Sequence, residues 1–371
     1  MCEPVRVLNL FTIMNRGGAE TMVMNYYRNI DRTKIQFDFL VHREEKGAYE
    51  EEIERLGGRI YRMPAIYPQN FVKYKRKLRE FFKEHQEYKI IHSHMSELGY
   101  FAFKEAKRQK IPVIICHAHN APHGWDLKMF FRTYFKLRMR PYIKYMFTCG
   151  EEAGVWLYGG KNKQRLIQLN NAIDAKKFIY NKDLEAEVRK ELGLKDEFVI
   201  GHVGRFCEQK NHRRLVEIFY QIQKLKPDSK LILVGEGELK DEIIAKVKEF
   251  KIEDKVIFLG LRADVNRIMQ VFNVYCFPSF YEGLSVSMVE AQASGTQCFI
   301  SDSIPKQCII TDVVSTFSLT ESNEKIAKYI LDSNKGFHKK NMYDEIVKAG
   351  FDIKNNAVKL QEFYLKAYQE N

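Results

Sequence analysis

Short apolar runs recur along the chain, each closed by a glycine-rich or polar turn and followed by an amphipathic stretch of helical length. In the first half, Val5 to Phe11, Phe37 to Val41, Lys89 to His92 and Ile111 to Cys116 read as strands, and Phe147-Thr148-Cys149-Gly150 as a strand end. An amphipathic helix follows Glu20 and runs through Tyr27, and a charged helix from Tyr49 to Leu56 stops at Gly57-Gly58. Arg165 to Leu169 leads into the polar turn Asn170 to Asp174, where the passage between two domains is placed. Past the charged, exposed stretch Lys182 to Lys195, the alternation restarts with strands at Phe198 to Val203, Leu231 to Val234 and Val256 to Gly260. A helix from His212 to Lys224 lies among them, and Ala357 to Tyr368 is a final amphipathic helix. Strands alternating with helices predict an α/β fold with a parallel sheet in each half.

The stretch Phe277 to Asp302 carries the clearest chemistry. It predicts a strand end, a loop from Phe280 to Ser285, a helix stopping at Gly295, and a further strand at Cys298-Phe299-Ile300. The loop then lies at the carboxyl end of a parallel sheet, where open α/β folds bind ligands. Helix amides after Gly283 make an anion site, with Glu282 before it and Glu290 about two turns later. A structural reading stands beside this one. Ser287 and Glu290 have the spacing of a capping box, and Glu282 fits an ordinary loop carboxylate.

Other strand ends add polar groups on the same expected face. Gly17-Gly18 between strand and helix permits a tight turn and close approach of backbone to a ligand. Two histidine pairs, His92/His94 and His117/His119, sit where strands end. No carboxylate or cysteine stands at ligand spacing from them, so a polar lining for sugar or phosphate is expected rather than zinc. Gly204-Arg205 to Lys210 and Arg262 bring cations to the strand ends of the second half. Two segments mix cations with aromatic rings: Lys73 to Lys89, and Met129 to Phe147. Each fits a membrane-interface helix, an amphipathic core helix with a solvated face, or a nucleic-acid surface.

Composition narrows these readings. A chain of 371 residues suits two α/β domains, and 45% hydrophobic residues is too many for disorder. The formal net charge of +12 favours anionic partners such as nucleotides, nucleic acid or acidic lipid. The 7 cysteines are scattered and mostly lie in apolar runs, so they read as reduced core residues. No run approaches the roughly 20 apolar residues of a membrane span, and the N-terminal residues do not read as a secretory signal.

Together these pieces resemble glycosyltransferase family 4, of the two-Rossmann (GT-B) architecture, over nearly the whole chain. The family's P-S-x-x-E-G-x6-E-A-x-A-x-G signature is similar to Pro278, Ser279, Glu282, Gly283, Glu290, Ala291, Ala293 and Gly295. Its G-R-x4-K element matches Gly204, Arg205 and Lys210, and its G-G-x-E element Gly17, Gly18 and Glu20. Its N-G-V-D turn resembles Asn171 to Asp174 with Ala172 in place of glycine; V-G-x-G matches Val234 to Gly237, and F-L-G matches Phe258 to Gly260. Ser303 to Gln307 departs from the family's usual glycine-rich stretch and is closer to the branch that builds capsules and exopolysaccharides. His117 and His119 straddle the family's single N-domain histidine; His119, directly followed by Asn120, is favoured.

The resemblance implies two Rossmann-like parallel-sheet domains facing a central cleft. An acceptor-side domain covers 1–169 and is completed by a helix over 356–371, and a donor domain covers 170–355. It implies a retaining glycosyltransferase moving a hexosyl or N-acetylhexosaminyl group from a UDP-sugar, without metal or other cofactor, and the basic, aromatic segments of the first half suggest a lipid-linked saccharide as acceptor. Glu282, His119, Arg205 and Lys210 are its candidate catalytic residues. Gly18, Arg205, Lys210, Arg262, Gly283, Leu284, Ser285 and Glu290 are its candidate donor-binding residues. Arg205 and Lys210 would bind the diphosphate, Glu290 the ribose hydroxyls, Glu282 the sugar, and His119 would orient the sugar or the incoming hydroxyl. The expected location is the cytoplasm, with peripheral contact to an acidic inner membrane face and no nucleic acid. A non-catalytic partner subunit and a nucleotide-sugar epimerase are the alternatives.

Overall fold

The computed structural model describes residues 3–119 and 127–371, and Asn120 lies outside the described residues. Its strands are β1 (Val5–Phe11), β2 (Ile35–Val41), β3 (Ile60–Arg62), β4 (Ile90–Ser93), β5 (Val113–Ala118), β6 (Tyr145–Thr148) and β7 (Leu166–Gln168) in the first half. The second half has β8 (Phe198–Val203), β9 (Ser229–Val234), β10 (Val256–Gly260), β11 (Val274–Phe277), β12 (Gln297–Ser301) and β13 (Val314–Phe317). The central strands are apolar along their length because helices cover both faces; every residue of β2, β5, β11 and β12 is buried. The edge strands β3 and β13, short and partly exposed, lack that signal. Sequence pattern alone left them unassigned.

Two units result, one of residues 1–172 with 352–371 and one of residues 173–351. The first holds a seven-stranded parallel sheet in the order β3-β2-β1-β4-β5-β6-β7. The helix Ile353–Gln369 belongs to this unit although it follows the whole of the other in sequence. Asp352 caps it by accepting from the Asn355 amide, and Ile353, Ala357, Leu360, Tyr364 and Ala367 lie in the core beside β1 and β2.

The second unit holds a six-stranded parallel sheet, β10-β9-β8-β11-β12-β13. The chain leaves β8 for β9 on one side and returns as β11 on the other. The switch point therefore lies between β8 and β11, and the loops after these strands frame the crevice that such sheets offer a ligand.

Glycine sets the geometry there. Gly235, after β9, has φ +141°, and a β-carbon on it would stand 2.1 Å from the Gly204 carbonyl oxygen after β8. The Gly204 amide donates to Val234 O and the Gly235 amide to Gly260 O, each at 2.9 Å, so three strand ends are tied by backbone alone. Gly235→Ala is expected to cost several kcal/mol through this clash and an unfavourable φ, and to lower the melting temperature. Gly18→Ala, whose β-carbon would meet nothing within 4 Å, is the matched control and should leave the melting temperature within a degree or two of wild type.

Candidate active site

In the second unit the loop after β8 is stapled to the loop after β11. Asn211, held in the left-handed region at φ 52°, donates from Nδ2 to Pro278 O at 3.1 Å. The Phe280 amide donates to Gln209 O, and Gln209 Nε2 to Tyr281 O, both at 2.9 Å. Ser301 Oγ donates to Ser279 O at 2.5 Å, fixing the Pro278-Ser279 corner.

This frame presents Lys210 to Glu282. Their Nζ–Oε1 distance is 2.7 Å, both side chains are largely buried, and the ammonium also sits 4.6 Å from the Phe277 ring centroid. The lysine stem passes Gly204, where a β-carbon would approach its Cδ and Cε to 3.4 Å. Gly204 and Lys210 thus form one arrangement with Glu282, which lies 72 residues beyond Lys210. Arg205 is exposed and donates to Glu238 at 3.0 Å. Arg262 donates twice to Asp264, at 2.8 and 2.7 Å, and is committed to that local pair.

The helix Val286–Ala293 follows Glu282 and begins with Ser285 as its N-cap, without a side-chain cap bond. Ser287 is therefore inside the helix, where its hydroxyl accepts from Tyr275 OH at 3.0 Å. The capping-box reading of Ser287 and Glu290 fails, because the N-cap is Ser285, two residues before the Ser287 that the box requires. The first-turn amides point out of the helix start beside Gly283, the arrangement that binds anions. Leu284 packs its side chain into the core, so only its backbone can serve a ligand there. Burial pushes the Glu290 carboxyl up to about 7.

The first unit gathers its histidines more tightly than their spacing suggests. His92 lies within β4 as expected, His117 within β5, which runs two residues past the expected Cys116, and His94 and His119 just beyond these strands. His94 Nδ1 and His119 Nε2 are 2.9 Å apart, and His94 Nε2 reaches Asn9 Oδ1 at 3.4 Å. Cys149 Sγ lies 3.4 Å from His117 Nε2 and 3.2 Å from His119 Nδ1. His92 Nδ1 meets Tyr364 OH at 2.6 Å. Burial lowers all four imidazoles, to about 3 for His92 and about 4 for His119, so they are neutral at pH 7. Both ring nitrogens of His119 are engaged. Cys149 is the member that sequence reasoning did not connect to the histidines, because it stands 30 residues from His119 and only the pairing of β5 with β6 brings it near. Gly18, by contrast, is exposed at the start of the helix Gly18–Asn29.

The two basic, aromatic segments part company. In the helix Phe71–Glu84, Phe81 and Phe82 are buried, so this is a core helix with a solvated basic face. In the helix Leu127–Met139, Phe130, Phe131, Tyr134 and Leu137 are exposed at 84, 63, 52 and 54%, a stripe of helical spacing. Arg138 flanks it, 5.8 Å from the Tyr134 ring. Among the described residues no helix is long and apolar enough to cross a membrane.

Lys210, Glu282 and the start of the helix Val286–Ala293 come together at the switch point of a parallel sheet, where open α/β folds bind ligands. Family models agree over both units: that of glycosyltransferase family 4 matches residues 16–151, and that of glycosyl transferases group 1 matches residues 185–350. The chain belongs to glycosyltransferase family 4 and has its GT-B architecture. It is 35% identical over 369 residues to the putative glycosyltransferase EpsF of Bacillus subtilis, covering 97% of this chain and 96% of that one. It is 25% identical over 315 residues, 76% of each chain, to the UDP-Gal:alpha-D-GlcNAc-diphosphoundecaprenol alpha-1,3-galactosyltransferase of Escherichia coli. Among solved structures, HepE of Anabaena in complex with UDP superposes with a TM-score of 0.78 at 16% identity, covering 97% of this chain and all of that one.

The raised Glu290 carboxyl has a measurable signature. Between pH 4.5 and about 7 the folded protein holds a proton there that the unfolded chain has lost, so this group's contribution to stability falls as pH rises through that window. Glu290→Gln mimics the protonated form. It should melt like wild type at pH 5 and higher than wild type at pH 8, by up to about 3 kcal/mol of stability. Equal melting temperatures at both pH values would place Glu290 in water.

Proposed function

We propose that the chain transfers a sugar, with retention of configuration, from a UDP-sugar to a lipid-linked saccharide in surface polysaccharide biosynthesis. The observation that carries the reading is the Lys210–Glu282 pair held between the two switch-point loops. Breaking the bond between sugar and diphosphate builds negative charge on the leaving oxygen and positive charge on the sugar. A fixed ammonium and helix-start amides stabilise the first, and a carboxylate at the sugar stabilises the second. Lys210 needs no reorganisation to do this, since Glu282 and Phe277 already hold it. Arg205 is a second cation for the diphosphate once it leaves the exposed Glu238. We assign no metal to this step, because protein cations supply the charge. Glu290 accepts from the ribose hydroxyls in its ionised form. The leaving phosphate oxygen takes the proton of the incoming hydroxyl, so no separate general base is assigned. For His119 we keep the orienting role that the family resemblance implies; contact with a substrate hydroxyl requires its ring to release His94 or Cys149.

The uridine and lipid elements of the proposal draw on the names of relatives, UDP for HepE and a diphosphoundecaprenol acceptor for the E. coli enzyme. The exposed aromatic stripe of Leu127–Met139, with cations beside it, suits insertion of rings into an acidic membrane surface.

Calorimetry with UDP, GDP and ADP is expected to give selective binding of UDP, tightening as pH rises from 6 to 8 and losing that pH dependence in Glu290→Gln. Absence of binding by all three nucleotides would sink the donor assignment. Lys210→Ala should lower kcat/KM by roughly 2–4 kcal/mol of transition-state stabilisation. Near-normal turnover in that variant removes Lys210 from the chemistry. In flotation with vesicles rich in acidic lipid at low salt, the protein should rise with the lipid, and Phe130→Ser/Phe131→Ser should not. Equal behaviour of the two proteins excludes the stripe as the contact.

A further inference from the structure

Proton positions in the histidine cluster of the first unit follow from one anchored amide. Asn9, in β1, is buried, and its Nδ2 donates to Val7 O at 3.3 Å and to Asp38 O at 3.5 Å. Turned the other way, the side chain would set its oxygen against these two carbonyl oxygens. Oδ1 therefore faces His94 Nε2, 3.4 Å away. The His94 ring is held in one plane. It lies between Phe11, nearly parallel at 9° with centroids 4.5 Å apart, and His92 at 4.4 Å. A half-turn within that plane would put ring carbons where its nitrogens now meet Asn9 and His119.

Burial keeps both imidazoles neutral at pH 7, so each has one N–H and one lone pair. Asn9 Oδ1 can only accept, which puts the His94 proton on Nε2 and leaves Nδ1 as an acceptor. His94 Nδ1 lies 2.9 Å from His119 Nε2, so the His119 proton sits on Nε2 and its lone pair on Nδ1. That lone pair faces the Cys149 thiol at 3.2 Å. A thiol is a weak donor, and Cys149 has another acceptor in Asn171 Oδ1, also at 3.2 Å. Of the two bonds that hold His119, the one to Cys149 costs less to break.

We propose that Asn9 and His94 are positioning residues that fix His119 as the Nε2–H tautomer, so that His119 keeps His94 and meets a substrate hydroxyl as an acceptor through Nδ1. The assignment rests on the substrate-orienting role of His119 proposed above, and deepens it. Which nitrogen of an imidazole carries the proton is set by the bond that the other nitrogen makes. A ring free to exchange tautomers presents a donor and an acceptor in turn. With its proton fixed, His119 accepts a hydroxyl only in the orientation that donates to Nδ1.

The full-length protein, made with histidine enriched in nitrogen-15, tests the tautomers directly. Long-range proton–nitrogen correlation spectra report, ring by ring, which nitrogen carries the proton. His94 and His119 are both expected as Nε2–H in the resting protein. His94→Phe keeps a ring between Phe11 and His92 but removes the acceptor, and should leave His119 without a single tautomer. His94→Asn, whose side-chain oxygen can stand in the place of Nδ1, should restore it. Should His94→Phe not fold, Asn9→Leu, which removes the first acceptor, gives the same reading.

Turnover is measured with whichever of UDP-glucose, UDP-galactose and their N-acetylated amino-sugar counterparts the wild type uses. His94→Phe should lower kcat/KM at least tenfold, and His94→Asn should recover most of the loss. His119→Asn should retain at least threefold more turnover than His119→Gln, because only the shorter side chain brings an oxygen to the place of Nδ1. A proton on His119 Nδ1 in wild type, or wild-type spectra and turnover in both His94→Phe and Asn9→Leu, overturns the proposal. Equal turnover of the two His119 variants, or the reverse order, overturns the Nδ1 contact. Since the spectra read the resting protein, a chain that turns over none of these donors overturns the transferase reading and leaves the tautomers to stand on the spectra alone.

Discussion

Two backbones meet closely at Gly204 and Gly235, and everything in the second unit that resembles chemistry depends on that approach. With β8 and β9 ending in contact, the loop after β8 can turn back over the sheet and lay the Lys210 stem along Gly204. The loop after β11 is then close enough for Asn211 and Gln209 to bond its carbonyls, and the ammonium arrives at Glu282. A side chain at Gly235 would drive into the Gly204 carbonyl and part the strand ends, and one at Gly204 would press on His202 and the Lys210 stem. The ion pair itself adds little net stability once desolvation is counted. Its worth lies in holding a cation and a carboxylate in place before any ligand arrives.

The two units handle polarity in opposite ways. The second brings Lys210, Arg205 and Arg262 to strand ends and keeps each beside a carboxylate. The first gathers neutral groups. Its imidazoles are pushed far below physiological pH by burial, and their arrangement is governed by which nitrogen carries a proton.

Much of this was legible in the sequence, and the reasons differ by element. Buried parallel strands announce themselves as continuous apolar runs, so β1, β2, β8 and β10 were found nearly to the residue. The edge strands β3 and β13 were not, since half-exposed strands carry no such run. Lys210 and Glu282 were legible because a motif fixes them on loops at strand ends; their pairing was not, because it depends on how the loops are stapled. The strand β5 ran on past Cys116 into His117, as an imidazole lying in a core looks polar to any hydropathy pattern. Cys149 joined the histidines through strand pairing, a long-range fact that spacing along the chain does not encode. Phe81 and Phe130 illustrate the same limit on the surface. Both sit on cationic helices, and only packing tells the buried ring from the exposed one.

The helix Ile353–Gln369 has a consequence for how the molecule is made. It supplies Ile353, Leu360 and Tyr364 to the core of a unit whose other residues precede Ile173, and Tyr364 anchors His92. During synthesis the ribosome delivers every strand of the first sheet, then the whole of the second unit, before this helix emerges. Residues 173–351 can therefore close their core while the first sheet still lacks part of its cover. The half of the protein translated first is the half completed last, reversing the usual order for domains folding on the ribosome.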